Sequence, residues 1–129
     1  MIILDASAVV DVLLRANAIP EITSALAKAE TIACPMILDL EILNVLRRLI
    51  REKRVTTPRA KEALQLYWAL PIERFGTELL ANRIWALRHN FTAYDASYIA
   101  LAELLHVPLY TRDTKWRGIG SHTAIIHFI

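Results

Sequence analysis

An α/β fold on a mainly parallel sheet is what this sequence predicts, and three observations predict it. Short runs with strand character recur at residues 1–4, 31–34, 72–75, 109–111 and 124–128. Segments of helical length, opening on capping residues or prolines, stand between the first four. The first run, Met1-Ile2-Ile3-Leu4, is continuously apolar, as in a parallel strand buried on both faces. Strands alternating with helices make a parallel sheet covered on both sides.

The elements follow in order. Ser7 is placed to cap a helix through Leu14, and Asn17 and Pro20 break it. Pro20 suits the first turn of a second helix, over residues 20–30. After the strand at 31–34, Pro35 opens a long helix over residues 36–52. Its apolar stripe is Ile42, Val45, Leu46 and Leu49, while Glu41, Asn44 and Arg48 share another face. Thr57-Pro58 gives a threonine cap and a proline at the first position of a helix to about Leu70, which Pro71 ends. Thr77 is placed to cap a helix to His89, and Thr92 another over residues 93–105. His106-Val107-Pro108 breaks that helix before the strand at 109–111. A short turn or helix near Lys115 follows, then a loop marked by Gly118 and Gly120, then the last strand. No repeat, linker or low-complexity segment interrupts the chain, so residues 1–129 are expected to form one domain.

Composition narrows the function. Of 129 residues, 55% are hydrophobic, enough for a sizeable core, and 22% are charged, which argues against disorder. The net charge of +2 is too small to diagnose nucleic-acid binding, but Arg47, Arg48, Arg51, Lys53 and Arg54 crowd one segment. Those cations fit either a solvated helix C-terminus or a contact with a phosphate backbone. Cys34 is the only cysteine, which excludes a disulfide framework and a cysteine-based zinc site; a buried inert thiol is expected. The N-terminus lacks a positive leader and Asp5 interrupts it, so it is not read as a signal peptide. No apolar run reaches the roughly 18 residues of a membrane span, and a cytoplasmic location is expected.

The chemistry lies in four acids: Asp5, Glu41, Asp95 and Asp113. Asp5 ends the first strand, and Asp113 lies two residues past the strand ending at Thr111. Glu41 is in the early turns of the long helix and Asp95 in the first turn of its own. Open α/β sheets place their sites at the carboxyl ends of strands, where the following helices begin. All four are therefore candidates for one rim. Carboxylates gathered there repel one another unless a cation binds, which points to metal-dependent chemistry on phosphate esters. Taken alone, Asp95 with Thr92 reads as a near capping box, Glu41 as a solvated helical acid and Asp113 as a turn residue. Asp5 resists such a reading, because an acid ending an apolar strand needs a partner or a cation. Asp11 lies further from the strand end, and Asp39 is expected mainly to serve the dipole of the long helix. No glycine-rich phosphate loop is present, His89, His106, His122 and His127 lack metal-ligand spacing, and no nucleophile elbow supports a serine triad.

Four ordered segments carry a family resemblance: Ile3-Leu4-Asp5-Ala6-Ser7, Leu40-Glu41-Ile42-Leu43-Asn44-Val45-Leu46, the stretch 87–96 with Thr92-Ala93-Tyr94-Asp95-Ala96, and Leu109-Tyr110-Thr111-Arg112-Asp113. In these the chain resembles PIN-domain ribonucleases of the VapC type, the toxins of prokaryotic toxin–antitoxin pairs. The resemblance implies a three-layer α/β/α sandwich around a short parallel sheet. It makes Asp5, Glu41, Asp95 and Asp113 the acidic quartet of the active site, supported by Ser7, Asn44 and Thr111. It also implies a small antitoxin as partner and a homodimer.

The expected activity is hydrolysis of RNA with Mg2+ or Mn2+. One ion, or two about 4 Å apart, would activate water and stabilise the leaving oxygen, giving 5′-phosphate and 3′-hydroxyl ends. The cluster at residues 47–54 is placed to hold RNA phosphates, and Tyr94 or Trp116 to stack an unpaired base or simply to pack at the core or rim. Two other classes compete. A phosphoacceptor receiver domain has similar length but needs an acidic pair after the first strand, where this chain has Asp5-Ala6-Ser7. A non-catalytic RNA- or protein-binding module has no need of the quartet.

Overall fold

The computed structural model describes residues 1–15 and 19–129; the expected helix break at Asn17 lies outside them. Five strands, β1 (Ile2–Leu4), β2 (Ile32–Pro35), β3 (Ile72–Phe75), β4 (Leu109–Thr111) and β5 (Ile126–Phe128), form one sheet in the order β3-β2-β1-β4-β5. Every pairing is parallel. Six helices surround it: α1 (Ala6–Leu14), α2 (Pro20–Lys28), α3 (Ile37–Arg51), α4 (Thr57–Ala69), α5 (Thr77–Ala86) and α6 (Ala93–Leu105). A 3-10 turn, Thr114–Trp116, follows β4.

The strands are short because a few fully apolar residues suffice when both faces are covered. Ile3, Leu4, Ile32, Ala33 and Leu109 are all buried. Helices α1, α3 and α4 pack together and α5 packs on α6. The stripe on α3 sinks Leu38, Ile42, Leu46 and Leu49, leaving Glu41 half-buried at the edge of that face. Helix α6 is buried continuously from Ala96 to Ala102. Its small and β-branched residues allow close approach to the sheet, and His106 closes it in the left-handed conformation at φ 54°. Buried Cys34 is a free thiol whose pKa burial pushes up to about 12, so it is inert, as expected. Among the described residues no helix is long and apolar enough to cross a membrane.

Several caps differ from the sequence expectation. Asp5, not Ser7, caps α1, accepting from the Ala8 N–H at 2.9 Å, because the chain turns directly from β1 into the helix. Thr56 rather than Thr57 caps α4, accepting from Arg59 N–H. Gly76 occupies the cap position of α5, which ends at Ala86 rather than His89. Strand β5 begins at Ile126, two residues later than expected.

The chain places β1, β2 and β3 in sequence to one side, then returns across β1 to add β4 and β5. The order therefore reverses at β1, and the crevice beyond the carboxyl ends of β1 and β4 is where such a sheet offers a binding site.

Candidate active site

Asp5 leaves β1 at that crevice and is buried. Its Oδ1 accepts from Ser7 Oγ at 2.6 Å and its Oδ2 from Thr111 Oγ1 at 2.5 Å. Each hydroxyl accepts in turn from a backbone amide: Ser7 Oγ from Arg112 N–H at 3.0 Å, and Thr111 Oγ1 from Asp113 N–H at 2.9 Å. Two amides of the loop after β4 are thus relayed through hydroxyls onto one carboxylate. This ties β1, α1 and β4 together and fixes both oxygens of Asp5. The three hydrogen bonds favour the charged form, yet burial outweighs them, and with the nearby Asp113 charge it raises the pKa of Asp5.

Glu41 comes from the second turn of α3. Its Oε1 accepts from Tyr98 Oη at 2.7 Å. Burial raises its pKa against that hydrogen bond, and the charges of Asp5 and Asp95 raise it further. Asp95 sits in the first turn of α6, where its N–H donates to Thr92 Oγ1 at 3.1 Å. Thr92 therefore caps α6 as expected, and the Asp95 carboxylate remains available for another partner. That partner is Lys115, whose Nζ stands 3.0 Å from Asp95 Oδ2 and 3.1 Å from Asp113 Oδ2. Hydrogen bonding to Asp95 and Asp113 raises the Lys115 pKa. Asp113 also caps the 3-10 turn through Lys115 N–H.

The four acids thus form one electrostatic group. A cavity of about 490 Å3 opens beside two of them, lined by Glu41, Asn44, Tyr94, Asp95 and Lys115; Asp5 and Asp113 do not line it. A larger cavity, about 590 Å3, lies against α2 and β5 and contains none of the quartet. Among the described residues no three acidic, imidazole or thiol groups stand close enough to share one ion as the side chains are placed. The lysine ammonium bridges two of the carboxylates instead.

The other expectations sort themselves around this geometry. Asn44 lines the cavity one turn beyond Glu41, on the same face of α3. Asp39 is outside the group. It accepts from Arg74 Nε at 2.8 Å and from Tyr67 Oη at 2.5 Å, so it is structural through an ion pair across to β3 rather than through the helix dipole alone. Tyr94 is exposed at the cavity rim, but Trp116 is buried against Phe91, edge to face with centroids 6.4 Å apart. Trp116 is a core residue and cannot stack a base. The cations at residues 47–54 are all exposed.

The PIN-domain family model matches residues 2–121. The chain belongs to the PIN-domain family. VapC ribonuclease Mb0985 of Mycobacterium bovis is 38% identical over 120 residues, covering 93% of this chain and 91% of that one. Two solved structures share the fold. A toxin–antitoxin complex from Klebsiella pneumoniae has a TM-score of 0.62 at 18% identity, covering 100% of both chains. VapBC2 from Rickettsia felis, bound to a DNA fragment from its promoter, has a TM-score of 0.64 at 18% identity, covering 99% of this chain and 98% of that one.

Sequence reasoning missed the roles of three residues of this PIN domain. Tyr98 holds Glu41, and its position three residues after Asp95 places both on one face of α6. Lys115 bridges Asp95 and Asp113, and only its nearness to Asp113 in sequence hinted at that. A third miss concerns Asp11, set aside as remote. It is buried, and its Oδ1 accepts from Arg15 Nε at 2.6 Å and from Arg112 Nη1.

Proposed function

We propose that this PIN domain, residues 1–129, is a metal-dependent endoribonuclease and the toxin of a toxin–antitoxin pair. One observation carries the reading. In a chain 38% identical to a VapC ribonuclease, four acids from β1, α3, α6 and the loop after β4 are linked by their mutual electrostatics and by the Lys115 bridge, in a sheet whose order reverses at β1.

The donor set suits a hard cation: carboxylates, the Asn44 amide and hydroxyls, with no thiolate or imidazole. The raised pKa values of Asp5 and Glu41 express, beside their burial, a repulsion that a cation relieves. Asp5, Glu41, Asp95 and Asp113 would hold Mg2+ or Mn2+ once Lys115 releases one of its carboxylates. The ion, when bound, supplies water activation and neutralisation of the charge developing on the scissile phosphate.

The chain's own residues do the rest. Ser7 and Thr111 fix the Asp5 carboxylate. Tyr98 orients Glu41, and Asn44 shapes the wall beside it. Lys115 offers an ammonium next to the phosphate position. The exposed cations at residues 47–54 attract the RNA backbone, and Tyr94 stacks an unpaired base at the rim. In this reading the protein works in the cytoplasm as a homodimer, and a small antitoxin blocks it; the toxin–antitoxin complex that shares its fold supports the antitoxin alone.

The test is incubation of purified protein with single-stranded RNA and Mg2+ or Mn2+. Cleavage leaving 5′-phosphate and 3′-hydroxyl ends, lost in EDTA and in Asp5→Asn, supports the reading. Full activity of Asp5→Asn refutes the mechanism.

A further inference from the structure

Next to the carboxylate group lies a second cleft of about 270 Å3 whose polar lining is mainly cationic. Three guanidiniums, Arg15, Arg54 and Arg112, stand against one carboxylate, Asp11, with the Ser7 side chain between this cleft and Asp5. Asp11 belongs to α1 and is buried, with Oδ1 accepting from both Arg15 and Arg112. Its Oδ2 is buried without a partner among the described residues. One buried carboxylate therefore holds two arginines in place and neutralises only one of them. Arg54 adds a further charge from the turn after α3, with Glu52 Oε2 no closer than 3.7 Å. Leu14 and Leu49 give the cleft an apolar wall.

Arg112 is fixed twice. Its side chain reaches Asp11, while its backbone N–H donates to Ser7 Oγ, the hydroxyl that holds Asp5. The cleft is thus connected to the carboxylate group through a single side chain. Guanidiniums pre-oriented by a buried carboxylate lose little freedom on binding and match phosphate geometry.

From this geometry we infer that the Arg15–Arg54–Arg112 cleft binds a backbone phosphate of the RNA strand flanking the one that is cut. It would hold the strand in register while the carboxylates act on the neighbouring linkage. Asp11 is a positioning residue for that subsite. The inference rests on the nuclease reading and adds to it a path for the substrate.

The test separates the two. Binding of a short fluorescent oligouridylate is followed by anisotropy in EDTA, where metal-dependent cleavage is blocked, over a range of KCl concentrations. On a single strand, every phosphate that the protein neutralises contributes about 0.7 to the slope of log affinity against log salt. Arg54→Gln and Arg15→Gln, whose side chains are 70% and 48% exposed, should fold and should each lower the slope, by no more than that amount since the cleft holds one phosphate. Arg88→Gln, which lies over Trp85 on another part of the surface, should keep the wild-type slope. In cleavage assays the two cleft variants should raise KM several-fold with kcat unchanged, the signature of lost uniform binding. Asp11→Asn should show the same KM shift with a smaller change of slope. Wild-type slope and KM in both cleft variants, while wild type cleaves RNA, overturn the cleft and leave the nuclease standing. Absence of any metal-dependent cleavage by wild type overturns the nuclease, whatever the slopes.

Discussion

Tyr98 on α6 donates its hydroxyl to Glu41 on α3 at 2.7 Å, joining the two helices. The bond holds a carboxylate whose pKa is raised by burial and by two neighbouring acids. A group with a raised folded-state pKa contributes stability that is full below its unfolded value and is lost as pH rises through the folded one. Glu41→Gln keeps an oxygen for Tyr98 and removes the charge. Metal-free Glu41→Gln should therefore melt above wild type at neutral pH, with the gain vanishing as pH falls below the ordinary glutamate value of 4.5. Melting curves between about pH 4 and about pH 8, a range that spans that value, check this. An unchanged difference across the range would contradict it.

Magnesium should stabilise the wild type by mass action, by about 2.7 kcal/mol at roughly a hundred times its dissociation constant. Asp5→Asn and Glu41→Gln should lose most of that gain. A melting curve unmoved by millimolar Mg2+ or Mn2+ argues against a preformed site.

Lys115 holds two of the carboxylates in the metal-free state and must release one when a cation enters. Lys115→Gln should bind Mn2+ several-fold more tightly, because the competing ammonium is gone. Isothermal calorimetry reads this directly. The side chain is 60% exposed, so the metal-free protein should lose little stability. Weaker Mn2+ binding in Lys115→Gln would mean the lysine orders the site rather than guarding it.

Asp39→Asn should retain most activity while losing roughly 1–3 kcal/mol of stability, because Arg74 and Tyr67 lose the charge they share. Urea unfolding measures the loss, and an RNA cleavage assay measures the retention. Comparable loss of activity in Asp39→Asn and Asp5→Asn would show that the two acids were assigned the wrong way round.

The two aromatics near the site should separate cleanly. Tyr94→Ala should weaken RNA binding by about 1–3 kcal/mol with the melting temperature unchanged. Trp116→Ala should instead cost about 3–5 kcal/mol of stability, since the ring is buried against Phe91.

The fold was legible because its signals are local. The apolar run before Asp5, the prolines at 20 and 58, and Thr92 three residues before Asp95 each mark a boundary by short-range chemistry. The placement of the four acids at strand ends and helix starts was legible for the same reason, since these share a rim in a parallel sheet, but among the described residues no three of them stand close enough to share an ion. The strand order was not legible, because nothing local says that the chain returns across β1 before adding β4. The roles of Tyr98, Lys115, Asp11 and Arg112 were hidden for the same reason. Each is defined by a partner in another element, and residues of these types are common at helix and loop positions. Asp5 as the cap of α1 was missed because a serine two residues later offered a more familiar signal.

The strand order has a consequence for synthesis. Asp5 precedes Thr111 by 106 residues, and its pair of hydroxyl supports is not complete until Thr111, in β4, pairs with the central strand. A growing chain can complete α1 and α3 and still lack the clamp, the Asp113 carboxylate and Lys115. Until β4 docks beside β1, the Asp5 carboxylate lacks one of its two hydroxyl supports.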